Sequence, residues 1–295
     1  MKDVREDGLE RLRGLTGDIR AMESERTRIV GALRENQAAS WDEIGQACGM
    51  TRQGATRRWS KTLHAGSFGS VAGTYHRGRP TYPLSAVEWV VPRHARRVLD
   101  LGAGTGKFTE LLTTAGLSVV AVEPSAEMRA EITVTAEILA GTGEQIPLPD
   151  GDVDAVVCAQ AWHWVDPALA VPEVARVLRP GGTLNLVWNI RDHEEPWVAL
   201  LDDVLHRHTR QEIDTTPEVG APFGPAERTE IRWRHTLTRA ALLDMVASRS
   251  YVIVLAPHER AELLGDVTEL LDRQGFGDEI TMPYVTRCSR FHLTT

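Results

Sequence analysis

From residue 84 onward, short dense apolar runs alternate with stretches whose apolar positions recur every three or four residues. That is the pattern of strands and helices taken in turn. The dense runs fall near 97–102, 118–123, 136–140, 153–159 and 182–188. They predict parallel strands buried on both faces. Phe108, Leu111 and Leu112 mark the first intervening helix. Alternating strands and helices predict an α/β fold, a doubly wound sheet covered on both sides. The segment 190–228 breaks the alternation. It predicts a helix over 197–208 and then a Pro/Gly-rich loop through Gly224, an insertion of the kind that forms substrate lids.

The first sixty residues read as all-α. Residues 11–35 carry Leu12, Leu15, Ile19 and Met22 on one helical stripe and Ile29 and Leu33 on a later one. Ser40-Trp-Asp-Glu43 is a capping box opening a short helix that Gly49 ends, and Thr51 is the N-cap of the next. Two short helices joined by a glycine turn resemble a DNA-binding helix-turn-helix. Its core is expected to be Trp41, Ile44, Ala47, Met50, Ala55 and Trp59, and its exposed face Arg52, Gln53, Thr56 and Arg57. Two uses stay open for that face: docking in a DNA groove, which calls for a homodimer with two half-site readers, or packing. The expected boundaries are 1–62 for this small domain and 65–295 for the α/β domain.

Charge separates the same two parts. Residues 1–62 hold 12 Lys/Arg and 10 Asp/Glu, so a chain of net charge −8 carries −10 in the remainder. An acidic body does not suit a nucleic-acid substrate, whose phosphates need basic surface. No apolar run approaches a membrane span, and the charged start lacks a signal peptide's apolar core. Cys48, Cys158 and Cys288 are scattered singly, without metal-ligand or disulfide spacing. The expected setting is the cytoplasm, with no metal.

The strongest chemical signal is Val98-Leu-Asp-Leu-Gly-Ala-Gly-Thr-Gly106, followed by Glu123 at the tip of the next apolar run. The glycines permit positive φ and let a ligand lie on the backbone. A P-loop would need glycine at 101, which is Leu, and Ser/Thr at 108, which is Phe. A dinucleotide loop would need glycine at 107, which is Lys. The observed spacing resembles motif I of the class I S-adenosylmethionine-dependent methyltransferases. The likeness continues through 68–83, Gly141–Asp150, Val153–Val157, Ala161-Trp-His-Trp164, Val174–Thr183, Ala247–Tyr251 and Pro283–Cys288. Within that family it resembles the trans-aconitate methyltransferase group of small-molecule enzymes.

The resemblance implies a seven-stranded, mostly parallel sheet ended by an antiparallel pair over 232–238 and 284–291. It implies S-adenosylmethionine as cofactor. Gly102, Ala103 and Gly104 would cradle its methionine part, with Asp100 supporting the loop. Glu123 would accept the ribose hydroxyls, and Pro124 would flank the adenine. Thr142, Gly143 and Glu144 occupy the adenine loop, Thr142 standing where the family often has an acidic residue. Gln160 and Ala161 would lie beside the methionine carbons. Tyr75 and Arg79 would fold over the cofactor, Arg79 pairing with its carboxylate.

On the acceptor side, Trp162, Trp164, Trp188, Asn189 and Arg191 are candidate substrate contacts and His163 a candidate general base. Arg234, His235, Arg239, His193, His206 and His208 read as surface or lid residues. The implied reaction is methyl transfer to a small molecule, at a carboxylate or hydroxyl oxygen. The alternative is a helix-turn-helix regulator whose methyltransferase fold senses S-adenosylmethionine or a metabolite.

Overall fold

In a computed structural model of the chain, the described residues are 8, 10, 11, 14, 15, 22, 25, 26, 28–33, 38–52, 54, 55, 80–206, 215–253, 255 and 257–294. Gln53, Thr56, Arg57, Trp59, Tyr75, Arg79 and His208 lie outside them. The chain divides into two compact units, Met1–Ala65 and Gly66–Thr295.

In the first unit every described residue from 8 to 33 is helical. Helix α1, Trp41–Ala47, opens on a capping box in both directions. Glu43 N–H donates to Ser40 Oγ at 3.3 Å, and Ser40 N–H donates to Glu43 Oε2 at 2.7 Å. After it, Gly49 turns the chain at φ 67°. Thr51 then caps a second helical start by accepting from Gly54 N–H at 3.1 Å. Val30, Ile44 and Ala55 form a small buried core, joined by Leu33, Trp41 and Met50.

The second unit is a seven-stranded α/β sheet. Its elements run α2 Leu84–Val90, β1 Arg97–Leu101, α3 Lys107–Thr114, β2 Ser118–Val122, α4 Ala126–Ala130, β3 Glu137–Leu139, β4 Val153–Ala159, α5 Pro167–Val177, β5 Leu178–Arg191, α6 Pro196–His206, β6 Glu227–Thr238, α7 Arg239–Ala247, α8 Pro257–Arg273 and β7 Glu279–His292. Strand order is β3-β2-β1-β4-β5-β7-β6. β1 to β5 pair in parallel, whereas β7 is antiparallel to both β5 and β6. The dense apolar runs follow from burial on two faces. Val98, Ala155, Val157 and Val187 pack against α2 and α3, while Leu99, Val156, Leu184 and Leu186 pack against α5.

Three strands are longer than their apolar runs. β5 starts at Leu178 because Arg179-Pro-Gly-Gly182 is taken into the strand as a bulge. Val153 pairs Leu178 and Ala155 already pairs Thr183. A Cβ on Gly182 would lie 2.9 Å from the Arg179 carbonyl oxygen, so the bulge closes only around glycine. β6 and β7 begin at Glu227 and Glu279. β6 and β7 stay paired beyond the end of β5, and with α6, α7 and α8 they enclose a second core that includes Leu201, Leu205, Met245, Val267 and Met282. The helix read as part of a lid is thus a packed element, its apolar stripe set against α8. No helix among the described residues is long and apolar enough to cross a membrane.

Candidate active site

The glycine loop leaves β1 at its carboxyl edge, where open α/β sheets hold their ligands. Gly102, Gly104 and Gly106 take φ 72°, 56° and 82°, a region that L side chains avoid. Gly102 and Ala103 N–H both donate to the Val122 carbonyl, at 2.8 and 3.1 Å, which ties the loop to the end of β2. A Cβ at Gly102 would lie 2.6 Å from Ala161 Cβ, whereas one at Gly104 would meet no described residue within 4 Å. Gly102 is therefore closed in by protein, and Gly104 faces none of the described residues.

Glu123 follows β2 and is buried. Its Oε2 accepts from Gly104 N–H and its Oε1 from Ser125 N–H, each at 2.9 Å. Two amides thereby fix the carboxylate across the loop, and each oxygen retains a further lone pair. Burial raises this carboxyl's pKa, opposed by the two amides and by Arg129. Arg129 Nη1 donates to the Glu123 and Pro124 carbonyls at 2.6 and 2.8 Å, and Pro124 itself is exposed. Asp100 does not reach the surface. Its Oδ2 accepts from Thr109 Oγ1 at 2.6 Å, and burial pushes its pKa up to about 7. It supports the loop from beneath, through α3. The buried Thr105 hydroxyl has no hydrogen-bond partner among the described residues.

Beside this cradle, Thr142 is exposed and bridges Gln145. Gly143 is buried where a Cβ would lie 2.7 Å from Val165 Cγ1. Glu144 accepts from Asp166 N–H at 2.7 Å and so secures the residue that caps α5.

The ends of β4 and β5 carry a hydrogen-bonded row. Gln160 is the single non-glycine residue at positive φ, 57°, among the described residues. Such strain concentrates at functional edges. Its Nε2 donates to the Asn189 carbonyl at 2.9 Å. Asn189 Nδ2 donates to the Thr81 carbonyl at 2.9 Å, and Asn189 Oδ1 accepts from Thr286 Oγ1 at 2.6 Å. Thr286 Oγ1 in turn accepts from Trp233 Nε1 at 2.8 Å. Next along β6, the ring of His235 lies 5.8 Å from that of Trp233. Burial, and secondarily the Lys107 charge, hold the His235 imidazole below its usual range. His235 read as a surface residue, and it is half-buried. Thr286, Trp233 and His235 gave no signal in the sequence because only strand pairing brings them to this edge.

The aromatic candidates divide by depth. Trp162 and Trp188 are 4% and 1% exposed and belong to the core under α5. Trp188 points there because it shares a strand face with Leu184 and Leu186. His163 packs with ring centroids 4.4 Å from Trp164 and 5.2 Å from Trp188, and Trp164 is half-buried. Arg191 is buried and donates through Nη2 to Asp202 of α6, a carboxylate that also pairs with His193 Nε2. Its Nε and Nη1 have no hydrogen-bond partner among the described residues. No cluster of three or more His, Cys, Asp or Glu among the described residues is placed to hold a metal ion.

Among the described residues, the clear space over Gly104, a carboxylate with lone pairs to spare and the unpartnered Thr105 hydroxyl fit a ligand bearing a ribose diol, as S-adenosylmethionine does. Residues 99–186 match a methyltransferase domain family. An uncharacterised methyltransferase of Mycobacterium tuberculosis is 51% identical over 233 residues, which cover 76% of this chain and 94% of that protein. The malonyl-[acyl-carrier protein] O-methyltransferase of Pectobacterium atrosepticum is 35% identical over 136 residues, covering 44% of this chain and 54% of its own. Among solved structures, a putative type II methyltransferase from Anaeromyxobacter dehalogenans shares the fold. Its TM-score is 0.58 at 24% identity, over 72% of this chain and 97% of that one. The chain belongs to the class I S-adenosylmethionine-dependent methyltransferase family.

Proposed function

We propose that the second unit transfers a methyl group from S-adenosylmethionine to an oxygen of a small organic acceptor. The observation that carries this reading is the Glu123 carboxylate, held by the amides of Gly104 and Ser125 beside the open side of the glycine loop. When bound, the cofactor supplies an electrophilic methyl on a sulfonium, and the protein's part is to orient and desolvate the reacting pair. Glu123 holds the ribose, and Gly102 to Gly104 form the floor beneath the methionine chain.

The acceptor lies along the row from Gln160 to His235. Gln160, fixed by Asn189, would lie beside the methionine carbons. A carboxylate acceptor needs no base. For a hydroxyl acceptor, the imidazole of His235, whose pKa burial lowers, takes the proton. Oxygen as the target is supported by the partial likeness to the malonyl-[acyl-carrier protein] O-methyltransferase. The resemblance of 68–83 to the trans-aconitate methyltransferase group supports a small acceptor.

The test is incubation of the full chain with methyl-labelled S-adenosylmethionine and a panel of small carboxylic acids and phenols. Label is expected in base-labile esters or in aryl ethers. Label found only on nitrogen, or only in nucleic acid or protein, contradicts the proposal, as does no transfer to any member of the panel.

A further inference from the structure

The first unit carries an apolar face that its own small core leaves uncovered. Leu15, Met22 and Ile29 are helical and stand seven apart. They are 51%, 63% and 46% exposed, and none belongs to a buried core among the described residues. Val30, one residue on, is by contrast buried with Ile44 and Ala55, and Leu33 packs against them. Exposed apolar residues scattered singly need no explanation; three at one interval on helical backbone form a seam.

The interval indicates what covers such a seam. A straight helix turns once in about 3.6 residues, so positions seven apart drift by about 20° per step. A strict repeat of seven stays on one line only where the helix winds against another. With Leu15, Met22 and Ile29 at d, the sequence has Leu12, Ile19, Arg26 and Leu33 at a. Every a and d position from 12 to 22 is apolar, and the first cation in the seam is the half-buried Arg26. The flanking g positions include Arg11 and Glu25, both exposed.

Charge selects the partner and its direction. In a parallel pair Arg26 would meet its own copy in the seam, and Asp18 would lie beside the partner's Glu23. In an antiparallel pair the g positions face each other. The register that sets Arg11 against the partner's Glu25 does so twice, because a two-fold contact is its own complement. Leu15 then lies opposite position 19 of the partner and Met22 opposite position 12, which makes four apolar layers. Arg26 falls opposite Gly8, which has no side chain to bury, and Ile29 lies past the last layer. Asp18 against its own copy is the one like-charged pair left. Glu25 has room for the second cation. Its two oxygens accept from Arg28 Nη2 and Nε at 2.6 and 2.7 Å, and each retains a lone pair.

We propose that the face carrying Leu15 and Met22 binds the same face of a second copy of this chain. The pair is a short antiparallel coiled coil, with Arg11 of each chain against the partner's Glu25. The proposal is independent of the methyl-transfer reading.

Sedimentation equilibrium of the full chain from about 1 to 100 μM tests it. The mass is expected to rise with concentration from that of one chain to that of two, since so short a seam binds weakly. Leu15→Asp/Met22→Asp should stay monomeric throughout. Glu10→Gln, at the exposed heptad position f on the far side of the helix, should behave as the parent. Arg11→Glu should weaken the dimer about fivefold or more, and Arg11→Glu/Glu25→Arg should recover it, because reversing both charges restores each cross-pair. These reversals change exposed side chains alone, so they probe the contact even if the aspartate variant fails to fold. A parent that stays monomeric, a mass beyond two chains, an aspartate variant that still dimerises or a double reversal that does not recover would each overturn the proposal.

Discussion

Asp100 and Glu123 flank the glycine loop from opposite sides, and their surroundings give them different tasks. Glu123 is fixed by two amides beside open space, whereas Asp100 is sealed beneath the loop with Thr109. Burial raises the Asp100 pKa from its ordinary 3.8 to about 7. The folded state then binds more protons than the unfolded one between those values. This group's contribution to stability is full below about pH 4 and is lost as pH rises to about 7. Asp100→Asn removes that dependence. Its stability relative to the parent should rise across the window by up to roughly 4 kcal/mol and then level off. Denaturant unfolding of both proteins at several pH values measures this, and a pH-independent difference contradicts it. At this scale the pairing of Glu123 with the glycine loop was legible, because Glu123 lies a fixed distance along the chain from the loop. The links from Asn189 to Thr286 and Trp233 were not, since Asn189 meets a partner 97 residues away and Trp233 one 53 residues away.

The glycine loop behaves as an element with two unlike positions. Both Gly102 and Gly104 sit at positive φ, so alanine at either costs about 1–2 kcal/mol of backbone strain. Only at Gly102 does the new methyl collide with protein, at Ala161. Gly102→Ala should accordingly lose more stability. Gly104→Ala should keep most of its stability and bind S-adenosylmethionine at least about tenfold more weakly, a loss of about 1.4 kcal/mol. Thermal unfolding and calorimetry on the pair separate the two, and a Gly104→Ala protein that binds like the parent contradicts the placement of the ligand. Sheet elements were readable wherever a run is buried on both faces, as in β1, β2 and β4. The start of β5 was not, because Arg179-Pro-Gly-Gly182 has the composition of a turn and becomes strand only through the bulge against Val153 and Asp154. Nor was the packing of α6, whose apolar face is satisfied by α8, some sixty residues later in the chain.

Across the whole molecule, chemistry and charge are divided between two compact units. The second carries the sheet, the glycine loop and the row from Gln160 to His235. The central claim is that Glu123 and the open glycine loop hold S-adenosylmethionine. Calorimetric titration of S-adenosylmethionine into the full chain and into Glu123→Ala tests it most directly. One site per chain is expected in the parent, weakened in the variant by roughly 1–3 kcal/mol, the range for buried polar groups left unpaired, with the thermal transition retained. Absence of binding heat in the parent, or equal affinity in a folded Glu123→Ala protein, would contradict it.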